Sequence, residues 1–263
     1  MKILILGGNR FVGKLVAERL YKHDVTILNR SGTGPSTCRI IKCDRNDEWK
    51  LRVAIGNESY DCIIDMCLYN MEQAKKSIPI FETITKKYIF LSSIAYRYEF
   101  FGDYGKQKKL IEDYIRSSKL SYINLRPTYI IGKDDHTKRF EYYMNQISNN
   151  KPVAIDSDGQ KLITFVDARD VCKIICKLVK KKKIINKSFE IANNELTSLD
   201  DVIYRVAKVM RRDRDYITHN SQESPYDNET CIANNFKIKK ALKFEFKSLN
   251  STIRRLYKHY ESI

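Results

Sequence analysis

The residues best suited to chemistry stand at the start of the chain, in Leu6-Gly7-Gly8-Asn9-Arg10-Phe11-Val12-Gly13. Glycines grouped just after an apolar run let the backbone turn tightly and approach a pyrophosphate, which then faces the amides and dipole of a helix N-terminus. Gly7 is expected to make the turn and Gly13 to let the helix pack against the strand. Gly8, Asn9, Arg10, Phe11 and Val12 complete the expected dinucleotide loop. The second apolar run ends at Leu28-Asn29-Arg30-Ser31, where NAD-binding folds usually place an acidic residue for the adenosine ribose. An arginine there can instead grip a 2′-phosphate bidentately, with Asn29 beside it and Arg10 as a second cation. NADP(H) is therefore expected over NAD(H). Asp44, after the third run, reads either as an acceptor for the adenine amino group or as a turn residue.

The elements that must position these residues alternate between two periodicities. Short apolar runs at 2–6, 25–28, 40–43, 62–66, 88–92, 122–125 and 188–192 read as strands, the 62–66 run apolar enough to be covered on both faces. Helical patterns at about 11–22 and 104–118 lie between them. Alternation of this kind predicts an α/β fold, a doubly wound parallel (Rossmann) sheet with right-handed crossovers. Residues 1–128 with 162–193 would form the dinucleotide-binding domain, and 129–161 with 194–263 a small substrate lobe, its tail helical with short irregular pieces.

At 263 residues, 43% of them hydrophobic and 30% charged, the chain can bury a full core. Its apolar runs are too short to span a bilayer, and no cleavable leader follows the first strand, so a cytoplasmic protein without a membrane partner is expected. The seven cysteines have neither disulfide nor zinc-finger spacing. Cys172 and Cys176, one helical turn apart, read as core residues, and no metal site is expected. A net charge of +16 favours partners bearing phosphate. Lys180–Lys183 and the Arg211, Arg212, Arg214 cluster follow helices, where cations suit the C-terminal carbonyls.

From these motifs the chain is similar to the extended or atypical short-chain dehydrogenase/reductases, the NAD(P)-dependent epimerase/dehydratase group. The resemblance runs through GGNRFVG at 7–13, Asp44, IIDM at 63–66, FLSS at 90–93, YGKQK at 104–108, Leu125-Arg126-Pro127, Gly132 and FVDARDV at 165–171. It departs from the usual GxxGxxG pattern at Arg10, which replaces the middle glycine. That variant resembles atypical members, among them stem-loop RNA-binding proteins of chloroplasts.

The resemblance implies a Ser, a Tyr and a Lys as catalytic set, with Pro127 among the cofactor contacts. Three pairs have the YxxxK spacing: Tyr104/Lys108, Tyr129/Lys133 and Tyr204/Lys208. Only the first opens a helix after the strand that ends in Ser92-Ser93. Tyr104 is thereby implied as acid/base, Lys108 as its electrostatic partner and ribose ligand, and Ser93 or Ser92 as polariser of the substrate oxygen. A phenol with an unperturbed pKa near 10 needs such a cation to work near neutrality. The serine–tyrosine interval is about half that of extended relatives, which implies a more open pocket or lost activity; Tyr96 and Tyr98 are available to fill the gap.

The expected function is an NADP(H)-dependent 4-keto reductase, or an epimerase, acting on a nucleotide sugar or related polyol. The resemblance implies an Asp-Glu pair near the tyrosine in dehydratases, and Glu99 and Asp103, standing apart, do not form one. Lys133, Arg139, Lys161, Arg211, Arg212 and Arg214 are candidate cations for a substrate diphosphate. The resemblance also implies a homodimer paired through the YxxxK helix. The alternatives are an RNA-binding protein on a non-catalytic scaffold, with nucleic acid as partner, and an NADP(H)-sensing regulator.

Overall fold

A computed structural model describes residues 1–212, 217–219 and 224–261. The first half runs β1 (Lys2–Leu6), α1 (Phe11–Arg19), β2 (Asp24–Asn29), β3 (Arg39–Lys42), α2 (Glu48–Ile55), β4 (Cys62–Asp65), α3 (Met71–Ile84) and β5 (Tyr88–Leu91). Two 3-10 turns, Ile94–Arg97 and Glu99–Phe101, lead into α4 (Gly102–Ser117) and β6 (Tyr122–Pro127). Then come β7 (Tyr129–Ile131), α5 (Arg139–Ser148), β8 (Val153–Ile155), β9 (Phe165–Asp167), α6 (Ala168–Lys180) and β10 (Lys187–Ile191). The chain closes with α7 (Leu199–Val209), β11 (Ile217–His219), α8 (Phe236–Leu242) and α9 (Leu249–Tyr260).

Among the described residues the main sheet has seven strands, all parallel, in the order β10-β6-β5-β4-β1-β2-β3. Its direction of winding reverses between β1 and β4, so a crevice opens beyond their carboxyl ends. The strands are apolar throughout because both faces are covered. Ile3, Ile5, Val16, Ile27, Ile64 and Ile175 belong to the core shared with α1 and α6. Leu4, Leu6, Ile63, Phe81, Phe90 and Ile111 belong to the core under α2, α3 and α4. A third core lies in the 129–155 and 199–256 regions, around Tyr143, Ile155, Val202 and Ile253. It is roofed by two small sheets, β7 with β9 and β8 with β11.

Some boundaries differ from the sequence reading. β6 continues through Arg126-Pro127 because Pro127 sits where β10 takes the register, Ile191 opposite it. The segment after Pro127, where no strand was read from the sequence, forms one as well, since β7 pairs with β9. The tail does not go wholly to the lobe either: Ile238, Leu242 and Phe244 pack into the core of the main sheet. The outward face of α4, through which dimerisation was expected, exposes Lys106, Lys109, Leu110, Asp113 and Arg116. No described helix is long and apolar enough to cross a membrane.

Candidate functional site

The glycine loop bridges β1 and α1. Gly7 has φ +80°, and a Cβ on Gly13 would stand 2.2 Å from the Gly7 carbonyl oxygen. Both glycines are thus required by the backbone, one for the turn and one for the close approach. Arg10, where relatives carry the middle glycine, has extended angles (φ −137°, ψ 156°) open to any residue. Phe11 instead takes the left-handed conformation, φ +44°, a strain of the kind stored at ligand sites.

A polar turn after β2 closes onto this loop. Asn9 donates to the Ser31 hydroxyl at 3.0 Å, and the Asn29 side chain accepts from Ser31 and from the Gly32 amide at 2.8 Å. Arg10 and Arg30 both border the cleft, and among the described residues neither is in an ion pair. Two cations beside helix-end amides suit an anionic ligand such as a dinucleotide. Asp44 also borders the cleft, and its carboxylate caps the following turn by accepting from the Asn46 amide at 2.9 Å. Asp44 is therefore a turn residue on the rim of the cleft.

The cleft measures about 830 Å³ and continues from this loop to Ser92, Ser93, Tyr104, Lys108 and Pro127. Helix α4 brings Tyr104 and Lys108 to one side, one turn apart, with the Lys108 Nζ 5.6 Å from the Tyr104 ring centroid. Lys108 is 2% exposed, donates to the carbonyls of Leu68 (2.8 Å) and Leu91 (3.3 Å), and burial lowers its pKa to about 8. Tyr104, open to the cleft, has its pKa raised by desolvation, while the Ser93 hydroxyl and the Arg139 charge pull it back.

The two serines separate cleanly. Ser92 is 3% exposed and donates to Glu112 at 2.6 Å, inside a network with Asn124 and Arg126. Ser93 accepts from the Ala95 amide at 3.1 Å and faces Tyr104. Of the pair, Ser92 is committed to Glu112, while Ser93 lies on the cleft with Tyr104 and lowers the phenol's pKa. The short serine–tyrosine interval is filled by the 3-10 turns. Tyr96 stacks under Arg126, 3.9 Å from ring centroid to guanidinium carbon, and Tyr98 bonds both backbone groups of Ile232. Neither tyrosine borders the cleft.

The other YxxxK pairs are elsewhere. Tyr129 forms part of the cleft wall without Lys133, and Tyr204 stands on α7 with Lys208 over its ring. Of the candidate phosphate-binding cations, Arg139 borders the cleft, whereas Lys133, Lys161, Arg211 and Arg212 do not; Arg214 lies outside the described residues. Cys172 and Cys176 are buried with free thiols in the core under α1. No metal-binding group of three His, Cys, Asp or Glu occurs among the described residues.

Sequence reasoning missed a buried network beneath the cleft floor. Asp65, 0% exposed, pairs with Arg45 at 2.7 Å and accepts from the Tyr88 hydroxyl at 2.8 Å, while Arg45 also reaches Ser77. An aspartate ending the otherwise apolar Cys62–Asp65 strand was its one signal. The aromatic wall of Phe101, Tyr129 and Tyr226 was also missed, because its members lie far apart in sequence.

Residues 103–192 match the NAD dependent epimerase/dehydratase family. A curated relative, the chloroplast stem-loop binding protein of 41 kDa b of Arabidopsis thaliana, is 23% identical over 79% of this chain. The chain spans about 62% of that relative's length. Among solved structures, UDP-glucose 4-epimerase of Thermotoga maritima with UDP-glucose superposes with a TM-score of 0.84 at 17% identity, covering 100% of this chain and 99% of its own. The dTDP-glucose 4,6-dehydratase of Bacillus anthracis with NAD gives 0.84 at 14% identity, covering 100% and 97%. The UDP-glucuronic acid 4-epimerase of Bacillus cereus gives 0.82 at 17%, covering 100% and 99%. In fold over its whole length this chain is similar to these epimerases and dehydratases, and in sequence its residues 103–192 match the NAD dependent epimerase/dehydratase family.

Proposed function

We propose that the chain is an NADP(H)-dependent oxidoreductase that reduces a keto group of a nucleotide sugar, epimerisation being the neighbouring reading. The observation that carries it is the meeting of Ser93, Tyr104 and Lys108 on the same cleft as the glycine loop. When bound, the nicotinamide dinucleotide supplies the hydride that reaches the carbonyl carbon. Tyr104 gives its phenolic proton to the carbonyl oxygen as that oxygen becomes a hydroxyl. Ser93 donates a hydrogen bond to the same oxygen, and Lys108 stabilises the phenolate until Tyr104 regains a proton from solvent. In the reverse direction the same three groups take the proton from a substrate hydroxyl. Gly7–Gly13, Asn29, Arg30, Asp44 and Pro127 hold the dinucleotide, with Arg10 and Arg30 on the 2′-phosphate. Residues 129–161 and 194–263 supply most of the substrate wall.

RNA binding is the second reading, favoured by the stem-loop binding relative and by the exposed lysines of α6, the segment after it and α8. Lys177, Lys181, Lys182, Lys183, Lys237 and Lys240 are exposed there, away from the cleft.

Thermal-shift titration with NADPH, NADH and a structured RNA separates these readings. A ligand at a hundred times its Kd adds about 2.7 kcal/mol. NADPH is expected to stabilise well beyond NADH, and Arg30→Asp to reverse that order. Stabilisation by RNA with no response to any dinucleotide sinks the oxidoreductase.

A further inference from the structure

The buried network under the cleft floor reaches the Tyr104/Lys108 pair through one turn of chain. Asp65 ends β4 and is 0% exposed, so whatever it does at the cleft it does through another residue. Arg45 and the Cys67 amide donate to one of its carboxylate oxygens, at 2.7 and 3.2 Å, and the Tyr88 hydroxyl donates to the other at 2.8 Å. Arg45 also donates to Ser77 of α3 at 2.8 Å. The turn from β4 to α3 is thereby held at both ends, and its Leu68 carbonyl accepts from the Lys108 ammonium at 2.8 Å.

The ammonium is enclosed where these pieces meet. It donates to the Leu91 carbonyl at 3.3 Å and lies 4.8 Å from the Phe90 ring centroid and 5.2 Å from that of Tyr69. Phe90 stands opposite Asp65 in the pairing of β4 with β5, so the seat of the ammonium and the carboxylate belong to adjacent strand ends. Carbonyls and ring faces offset part of the cost of burying a cation, and an opposite charge offsets more. Burial draws Lys108 down to about 8, while Asp65, Cys67 and Glu112 act against that and Arg45 acts with it. Glu112 is already engaged by Ser92 and Arg126. Burial pushes Cys67 and Tyr69 up, to about 11 and about 12, and raises Tyr88 and Tyr104 as well, so none of them ionises where Lys108 does.

We propose that Asp65 is a positioning residue for the Tyr104/Lys108 pair: it fixes the turn whose Leu68 carbonyl seats the Lys108 ammonium, and its carboxylate, shared with Arg45, is that ammonium's buried counter-charge. The consequence at Tyr104 rests on the oxidoreductase reading above; the hold on Lys108 does not.

The test follows Lys108 itself in the full chain, with neither dinucleotide nor substrate. Lysine carrying a carbon-isotope label at Cε gives an NMR resonance that moves as the ammonium loses its proton, and the Lys108 signal is the one missing from Lys108→Met. Asp65→Asn keeps an oxygen for the Cys67 amide and removes the charge. Its Lys108 midpoint is expected about one pH unit or more below that of wild type, the size of effect an adjacent charge exerts. That change leaves Arg45 buried without its counter-charge, so the double variant Asp65→Asn/Arg45→Met, which removes both charges, gives a second measurement. Its midpoint should fall as well, by less. A merely structural role predicts the reverse, because a loosened, wetter site returns Lys108 toward its ordinary value near 10.5. A midpoint that stays in place or rises in Asp65→Asn, or in the double variant should the single one fail to fold, overturns the proposal. Under the oxidoreductase reading the alkaline limb of kcat/KM moves with the resonance. A resonance that moves while the limb stays supports the hold of Asp65 on Lys108 and overturns instead the part of Lys108 in proton transfer.

Discussion

Lys108 is almost wholly buried, and desolvation lowers its pKa to about 8, from an ordinary value near 10.5. The sign follows from linkage. Between pH 10.5 and 8 the unfolded chain binds the proton and the folded chain does not, so stability falls as pH falls through this window. The full penalty is present below pH 8, and a shift of this size corresponds to about 3 kcal/mol. Lys108→Met removes the penalty but leaves the Leu68 and Leu91 carbonyls without their donor, which costs about 1–3 kcal/mol. The informative quantity is therefore the slope. Urea midpoints of wild type should gain on those of Lys108→Met between pH 7 and pH 10. Midpoints that move in parallel would show that Lys108 titrates normally. Under the proposed function, kcat/KM reports the free protein and should fall as pH rises through about 8, where Lys108 loses the charge proposed to hold the phenolate.

Helix α4 is positioned by a glycine. A Cβ on Gly105 would stand 2.4 Å from the Ala95 carbonyl oxygen, in the 3-10 turn that fills the short serine–tyrosine interval. The turn's start is fixed by Ser93, so displacing α4 separates Ser93 from Tyr104. Gly105→Ala should destabilise the fold by about 1–3 kcal/mol, as overpacking does. It should also lower kcat by more than it weakens dinucleotide binding, since the glycine loop lies on another element. Chemical denaturation and steady-state kinetics measure the two effects. An unchanged kcat would mean that the approach of helix to turn does not set the site.

The main sheet and the third core are tied together by Asp167, 5% exposed at the end of β9. It caps α6 through the Arg169 amide at 2.8 Å, accepts from Thr252 at 3.1 Å and pairs with Arg255 of α9 at 2.6 Å. Its neighbour Asp170 accepts from the Lys247 amide at 2.7 Å, ahead of the same helix. The FVDARDV motif therefore docks the last helix onto the sheet. Asp167→Asn keeps the shape and removes the charge from a mostly buried pair. Arg255 remains 23% exposed on its side chain, which reduces the cost to about 2 kcal/mol, below that of a fully buried pair. Melting curves should show that loss as one lowered transition. Early release of α9 alone, seen by limited proteolysis, would show that the two regions unfold separately.

The order of elements, the parallel sheet, the glycine turn between β1 and α1 and the placing of Tyr104 and Lys108 on one face of α4 were legible in the sequence. Each depends on local rules: an apolar run buried on both faces, glycines where a backbone must turn or touch, and a helical repeat that aligns residues four apart. The engagement of Ser92 was not legible, because it depends on Glu112, Asn124 and Arg126, which capture its hydroxyl from another helix and strand. The Arg45–Asp65–Tyr88 network and the ring-held Arg139 were equally hidden. These contacts join residues 10 or more positions apart, and no local spacing encodes them. Charge obeys the same division. Composition fixed a net +16, but only the folded chain decided which cations pair with carboxylates and which, as at Arg10, Arg30 and Arg139, border the cleft without an ion pair among the described residues.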